Sequence, residues 1–110
     1  LTTFERWCAA DPGVMNPALF LEMSAEATRN PPLAAALRSF DAGMRMELQA
    51  WLGRDRELGG MGLPPECAVT QALSLQCFID GLVLRSVRDP KVDRAQLRAA
   101  VHEQIGRLTR

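Results

Sequence analysis

The chain has 110 residues and a mass of 12.1 kDa, which corresponds to one ordinary domain. Hydrophobic residues make up 47% of the chain and charged residues 24%, so the sequence can build a core and is not typical of a disordered segment. Basic and acidic residues number 13 each, and this balance argues against nucleic-acid binding by the chain alone, because such binding needs a surplus of positive charge.

The composition and the prolines predict an all-α fold of about five helices in an antiparallel bundle. Alanine and leucine, which favour helices, far outnumber valine, isoleucine and threonine, which favour strands. Prolines divide the chain, because a proline interrupts a helix interior but fits the first turn of a helix. The helices are predicted over residues 1–10, 17–29, 32–52 and 65–88, and from Asp93 onward.

The second and third helices carry clear start and period signals. Asn16 is placed to cap the second helix, and Pro17 suits its first position. The third helix repeats apolar residues with the helical period, at Leu33, Leu37, Phe40, Met44, Leu48 and Trp51. The glycines that follow, over residues 59–62, lack the Gly-Lys-Ser/Thr sequence of a phosphate-binding loop.

The fourth helix is apolar on two faces, and Asp80 is the only charge between Cys67 and Leu84. One face consists of Ala68, Ala72, Leu75, Ile79 and Leu82, and the second consists of Leu73, Cys77, Gly81 and Leu84. A small domain can cover one face itself, so the second face needs a partner. Gly81 costs about 1 kcal/mol relative to alanine inside a helix, which a close helix–helix approach would justify. Asp80 either accepts a hydrogen bond from Gln76 or points to solvent.

No catalytic or metal-binding pattern emerges, and no cofactor is expected. The only histidine, His102, is predicted to be exposed, and Glu22 and Glu26 lack the Glu-x-x-His partner of a bundle metal site. The three cysteines are Cys8, Cys67 and Cys77. Their odd number and their spacing favour reduced thiols in a cytoplasmic protein. No stretch approaches the about 20 apolar residues of a membrane span, and no signal peptide is recognisable.

A pocket for an apolar ligand is a second expectation. Five methionines and six aromatic residues suit an adaptable pocket, although such residues also make ordinary cores. The candidate ligand-binding residues are Phe4, Trp7, Phe20, Met23, Ser24, Phe40, Met44 and Phe78. The hydroxyls of Ser24 and Thr28 could bind a ligand or bond back to their own helix.

The segment PALFLEMSAEATRNPPLAAALRSFDAGMRMELQAWL resembles the middle of the regulatory domain of TetR-family transcriptional regulators. The family pattern is an acidic-Ala-x-Arg-Asn/Asp-Pro stretch before a long amphipathic helix, here Glu26, Ala27 and the run from Arg29 to Pro31. The later FIDGLVLRSVRDPKVD looks like the family's Asp-Gly-Leu stretch, here residues 80–82, followed by an Asp-Pro turn and a final helix. The resemblance covers nearly the whole chain.

This resemblance implies a domain over residues 1–110 that senses a small hydrophobic effector and forms a homodimer. Operator DNA would be bound only by an N-terminal helix-turn-helix that this chain does not contain. In the family, the last two helices of each subunit form a four-helix bundle across the two-fold axis. The dimer interface is accordingly expected at Leu73, Cys77, Gly81, Leu84, Leu97 and Val101. The competing interpretations are a stand-alone helical protein-interaction module and, with little support, an enzyme.

Overall fold

A computed structural model describes residues 16–107, and within this range the chain forms four α-helices and one short 3-10 turn. The helices are α1 (Pro17–Ala27), α2 (Pro31–Gly53), α3 (Pro65–Arg88) and α4 (Arg94–Arg107), and the 3-10 turn is Arg56–Leu58. The all-α prediction is confirmed for this part of the chain. The predicted first helix, together with Phe4, Trp7 and Cys8, lies outside the described residues.

Asparagine caps set the starts of the first two helices. The side chain of Asn16 accepts hydrogen bonds from the backbone of Ala18 and Leu19, at 2.9 and 3.2 Å. The side chain of Asn30 accepts one from the backbone N–H of Leu33 at 3.1 Å. Each cap satisfies donors that a helix start otherwise leaves unpaired, and each is followed by a proline that needs no donor partner.

The helices α2 and α3 pack antiparallel to each other and form the main core. Leu48 and Leu52 of α2 lie against Ala68, Ala72 and Leu75 of α3. Leu52 and Ala72 are completely buried. Because two of the α3 contacts are alanines, the leucines of α2 can approach the α3 backbone closely, which is what a dense core requires.

A second core cluster joins the carboxyl-terminal half of α3 to α1 and α4. Its buried members are Ile79, Val83 and Val101. Phe20 and Leu21 of α1 pack against it and are partly exposed. The helix α3 is therefore the central element, contacting α2 along its first half and α1 and α4 along its second.

The segment between α2 and α3 completes the end of α2. The backbone N–H groups of Met61 and Leu63 donate to the carbonyls of Trp51 and Leu52, at 3.1 and 2.9 Å. These bonds satisfy carbonyls that the end of a helix leaves without partners. A side chain at Gly60 would collide with the backbone of Arg54, so the glycine here is required by close chain approach.

The helix α3 is long and apolar enough to span a membrane by length and composition, with a mean hydropathy of 1.5 over its most apolar window. The sequence-based statement that no stretch approaches such a span was therefore too strong. A third of that window, 33%, is buried inside the chain, where α2 packs against it. A core helix of a globular domain has the same composition, so this observation is weak evidence for a membrane.

The burial of Leu52 predicts a large effect of truncating its side chain. We expect Leu52→Ala to lower the free energy of unfolding by about 2–5 kcal/mol, because it removes buried apolar contacts and leaves a cavity. The matched control is Leu58→Ala, since Leu58 is 70% exposed, and its effect should stay within about 0.5 kcal/mol. Urea denaturation followed by circular dichroism measures both. Equal losses in the two variants would contradict the described core.

Candidate functional site

A small cleft lies where α1, α2 and α3 meet, and we refer to it as the cleft. Its volume is about 80 Å³. Phe20 from α1, Phe40 and Met44 from α2, and Leu73 and Cys77 from α3 form most of its apolar wall. Its rings and flexible thioether suit an apolar ligand, and three predicted ligand-binding residues therefore meet in one place.

The polar side of the cleft is organised by Gln76, which is the only buried polar residue in the described range. Its amide Nε2 donates to the backbone carbonyl of Asp41 at 2.8 Å. Its Oε1 accepts from Nε of Arg45 at 2.5 Å. Gln76 therefore joins α3 to α2 by two hydrogen bonds, and the guanidinium of Arg45 is held at the cleft wall. The expected hydrogen bond from Gln76 to Asp80 is not the one formed.

Asp80 of α3 also lines the cleft, as does Asp41 of α2. Partial burial raises the pKa of the Asp80 carboxyl above its ordinary value of 3.8, and the negative charge of Asp41 raises it further. Asp80 is an exposed residue, but its carboxyl group is partly shielded from water in the cleft. Of the two alternatives for Asp80, the structure favours the one in which it points to solvent, since the residue is exposed and its carboxyl is only partly desolvated.

The remaining candidate ligand residues lie elsewhere. Met23 and Ser24 are half-buried on α1 and do not line the cleft. The hydroxyl of Ser24 donates to the carbonyl of Phe20 at 2.9 Å, and that of Thr28 to the carbonyl of Ala25 at 2.7 Å. Both hydroxyls bond back to their own helix, which was the alternative interpretation.

Phe78 packs against the second core cluster and does not line the cleft. Phe78 lies about 200° around α3 from Gln76, which faces α2, and its ring packs against the core. The apolar ring that suggested ligand binding therefore takes part in core packing. Phe4 and Trp7 lie outside the described residues.

One side of α3 is exposed and largely apolar, and we refer to it as the exposed stripe. It consists of Val69, Leu73, Cys77, Asp80, Leu84 and Val87. Leu73 is 47% exposed and Leu84 is 41% exposed. The two-faced character of the fourth predicted helix is therefore confirmed: Ala68, Ala72, Leu75 and Ile79 are buried, whereas the second face points to solvent. Leu82 is half-buried.

The other expected interface residues have different environments. Leu97 and Val101 are 6% and 3% exposed, so their side chains belong to the interior of this chain. They can support an interface only indirectly, because they have almost no surface left for a partner to contact. Gly81 is exposed beside the stripe, and a side chain there would meet nothing within 4 Å. The close approach that would explain this glycine is therefore not made by the described part of the chain.

The described residues contain no group of three or more His, Cys, Asp or Glu side chains that could hold a metal ion. Cys67 and Cys77 are free thiols and exposed. His102 is exposed on α4, as the sequence predicts.

The hydrogen bonds of Gln76 predict a measurable role in stability. We expect Gln76→Met, which keeps the volume but loses both bonds, to lower the free energy of unfolding by about 1–3 kcal/mol. The part-buried backbone carbonyl of Asp41 and the guanidinium of Arg45 both lose a partner. The matched control is Gln71→Met, a half-buried position earlier on α3. Denaturant unfolding of both variants is the measurement, and a Gln76→Met variant no less stable than the control would contradict this network.

Comparison with known proteins places the chain in a family. Residues 13–110 match the family of BetI-type transcriptional repressor C-terminal domains. Comparisons with curated proteins and with solved structures gave no match. The matched region includes all four helices, the cleft and the exposed stripe. The resemblance noted in the sequence is thereby confirmed: the chain belongs to the C-terminal regulatory domains of BetI-type repressors within the TetR family of transcriptional regulators.

Proposed function

We propose that this domain forms a homodimer and senses a small apolar or aromatic effector on behalf of a transcriptional repressor. Binding of the effector would change the relative orientation of two subunits and thereby modulate operator binding by an N-terminal helix-turn-helix. The domain acts in the cytoplasm, where the DNA of a bacterial regulator is found. The regulator function follows from the family, whereas the effector class and the dimer are proposed here from the features of the domain.

The observation that carries the dimer proposal is the exposed stripe. Its apolar members span α3 from Val69 to Val87, more than four helical turns. A single exposed leucine needs no explanation, but a continuous row of apolar side chains marks an interaction site. A second copy of the chain would cover the row, and burying it at about 25 cal/mol per Å² favours association.

Gly81 supports the same interpretation. A glycine inside an exposed helix costs about 1 kcal/mol relative to alanine, and no contact within the described chain offsets that cost. The absence of a side chain lets a second helix approach α3 closely. Val101 of α4 packs against Ile79 and Val83 of α3, so the carboxyl-terminal half of the stripe lies on a packed part of the domain.

The cleft is the proposed effector site. Its volume of about 80 Å³ is smaller than the roughly 150 Å³ of an engineered cavity that holds benzene. Binding therefore requires side chains to move, and Phe40 and Met44 are the candidates because one is 48% exposed and the other is an unbranched thioether. The apolar wall favours a ligand with an aromatic or aliphatic body.

The competing function is that of an interaction module whose exposed stripe binds a different protein. The exposed stripe could bind either a second copy of this chain or a different protein. Self-association of the purified chain distinguishes these two functions, since a different protein is missing from such a sample.

The dimer proposal predicts that a charge on the stripe separates the subunits. Leu84 lies on the stripe but not in the cleft, so Leu84→Arg disrupts the interface without altering the effector site. We expect the unchanged chain to be dimeric at tens of micromolar and the variant to be monomeric, because burial of an unpaired guanidinium costs several kcal/mol. Sedimentation velocity gives both masses.

The control is Leu58→Arg, the same substitution at an exposed leucine of the 3-10 turn. It should leave the mass of the dimer unchanged, and circular dichroism should show all three proteins folded. A monomeric unchanged chain, or a dimer that both arginine variants leave intact, would contradict the proposed interface.

The effector proposal predicts that simple aromatic compounds stabilise the domain through the cleft. We expect 1-naphthol or a similar neutral aromatic to raise the Tm of the chain, because a ligand that binds only the folded state adds its binding free energy to stability. Phe40→Arg should abolish the shift, whereas Met46→Arg, at an exposed position of α2 outside the cleft, should retain it. An equal shift in both variants would place the binding elsewhere.

A further inference from the structure

Asp80 stands in the middle of a stripe whose other members are apolar. Successive residues of a helix are rotated by about 100°, and this rotation places Asp80 between the directions of Val69 and Leu73. Two turns separate Asp80 from Leu73 on one side, and one turn separates it from Leu84 on the other. A partner that covers the stripe must therefore cover Asp80 as well.

The surroundings of Asp80 do not neutralise its charge. From α2, Asp41 and Arg45 face it across the cleft, and from α1 the residue at the cleft is the uncharged Phe20. On α3 itself the nearest titratable neighbour in the cleft is the thiol of Cys77. Arg45 uses its Nε on Gln76, and within residues 16–107 neither Asp41 nor Asp80 forms an ion pair with it.

We propose that the protonation of Asp80 controls the association of two copies of this chain through the exposed stripe, so that the dimer tightens as the pH falls. The proposal rests on the dimer described under the proposed function and adds its regulation. The occupant of the stripe is the second copy of the proposed homodimer, and in a two-fold interface each copy brings its own Asp80 with it.

The direction of the effect follows from the cost of burying charge. A carboxylate loses hydration when a second copy covers it, and that copy brings a second Asp80 carboxylate into the same interface. Both changes favour the protonated form in the dimer more than in the monomer.

The monomer already holds the pKa of Asp80 above 3.8, for the same two physical reasons. The dimer would raise that pKa further, so association takes up protons. Linkage then requires the association constant to rise as the pH falls through the dimer's pKa, and to level off below the monomer's pKa.

Sedimentation equilibrium at about pH 7.5 and about pH 5 tests the proposal on the complete chain. If the dimer raises each pKa by about one unit, the dimer Kd is lower at about pH 5 than at about pH 7.5, and the full change for two carboxyls, reached below the monomer's pKa, is about 100-fold. Asp80→Asn should show the tight Kd at both pH values, because the amide carries no charge. The matched control is Glu47→Gln, which removes an exposed carboxylate of α2 outside the cleft and should keep the pH dependence of the unchanged chain.

The outcomes separate this proposal from the one on which it rests. A dimer that Leu84→Arg disrupts, but whose Kd is the same at both pH values, overturns the role of Asp80 and leaves the interface intact. A pH dependence that persists in Asp80→Asn assigns the titration to another group and also overturns it. A chain that stays monomeric at both pH values, with and without Asp80→Asn, overturns both proposals.

Discussion

The packing of α2 against α3 is the contact on which the rest of the structure depends. Leu52 and Ala72 are fully buried in it, and the alanines of α3 allow the leucines of α2 to come close to the opposite backbone. This contact fixes which side of α3 faces inward. The direction of the exposed stripe is then determined, since its residues lie on a side of α3 that the core contacts with α2 leave exposed. The cleft lies farther along the same contact, where α1 approaches the two helices.

Gln76 marks the boundary between the dry core and the cleft. It follows Leu75, a core residue, and precedes Cys77, a residue of the stripe. Its hydrogen bonds to Asp41 and Arg45 fix the register of α2 and α3 more specifically than leucine contacts do, because hydrogen bonds are directional. Leu73, Cys77 and Asp80 belong to both the cleft and the stripe. A ligand that moves any of these side chains would therefore affect the proposed interface directly. The ligand could then bind one arrangement of the two subunits more tightly than another.

Sequence patterns were sufficient for the helices and for the two faces of α3, because both depend on period and on local signals. The asparagine caps and the prolines placed three helix starts within one residue. The side-chain partners were not predictable in the same way. For Gln76 the sequence offered only Asp80 on its own helix as a partner, as one of two alternatives, whereas the antiparallel packing brings Asp41 and Arg45, more than thirty positions away, within reach. The surface that covers Leu97 and Val101 was equally unpredictable from the sequence. An apolar stripe on a helix indicates burial but does not indicate whether the covering surface belongs to the same chain.

A carboxylate in an apolar seam has a second physical consequence, which concerns which contacts the stripe permits. A fully apolar row along α3 would bind any apolar surface in several registers, with little difference in energy between them. A single polar group in such a seam lowers the affinity but penalises every arrangement that buries it without a suitable neighbour. Asp80 and Gly81 are adjacent, so the position that restricts the pairing lies beside the position that allows the closest approach. The sequence of α3 thus combines an apolar driving force with a local restriction on geometry, a combination that favours one defined pairing over indiscriminate association.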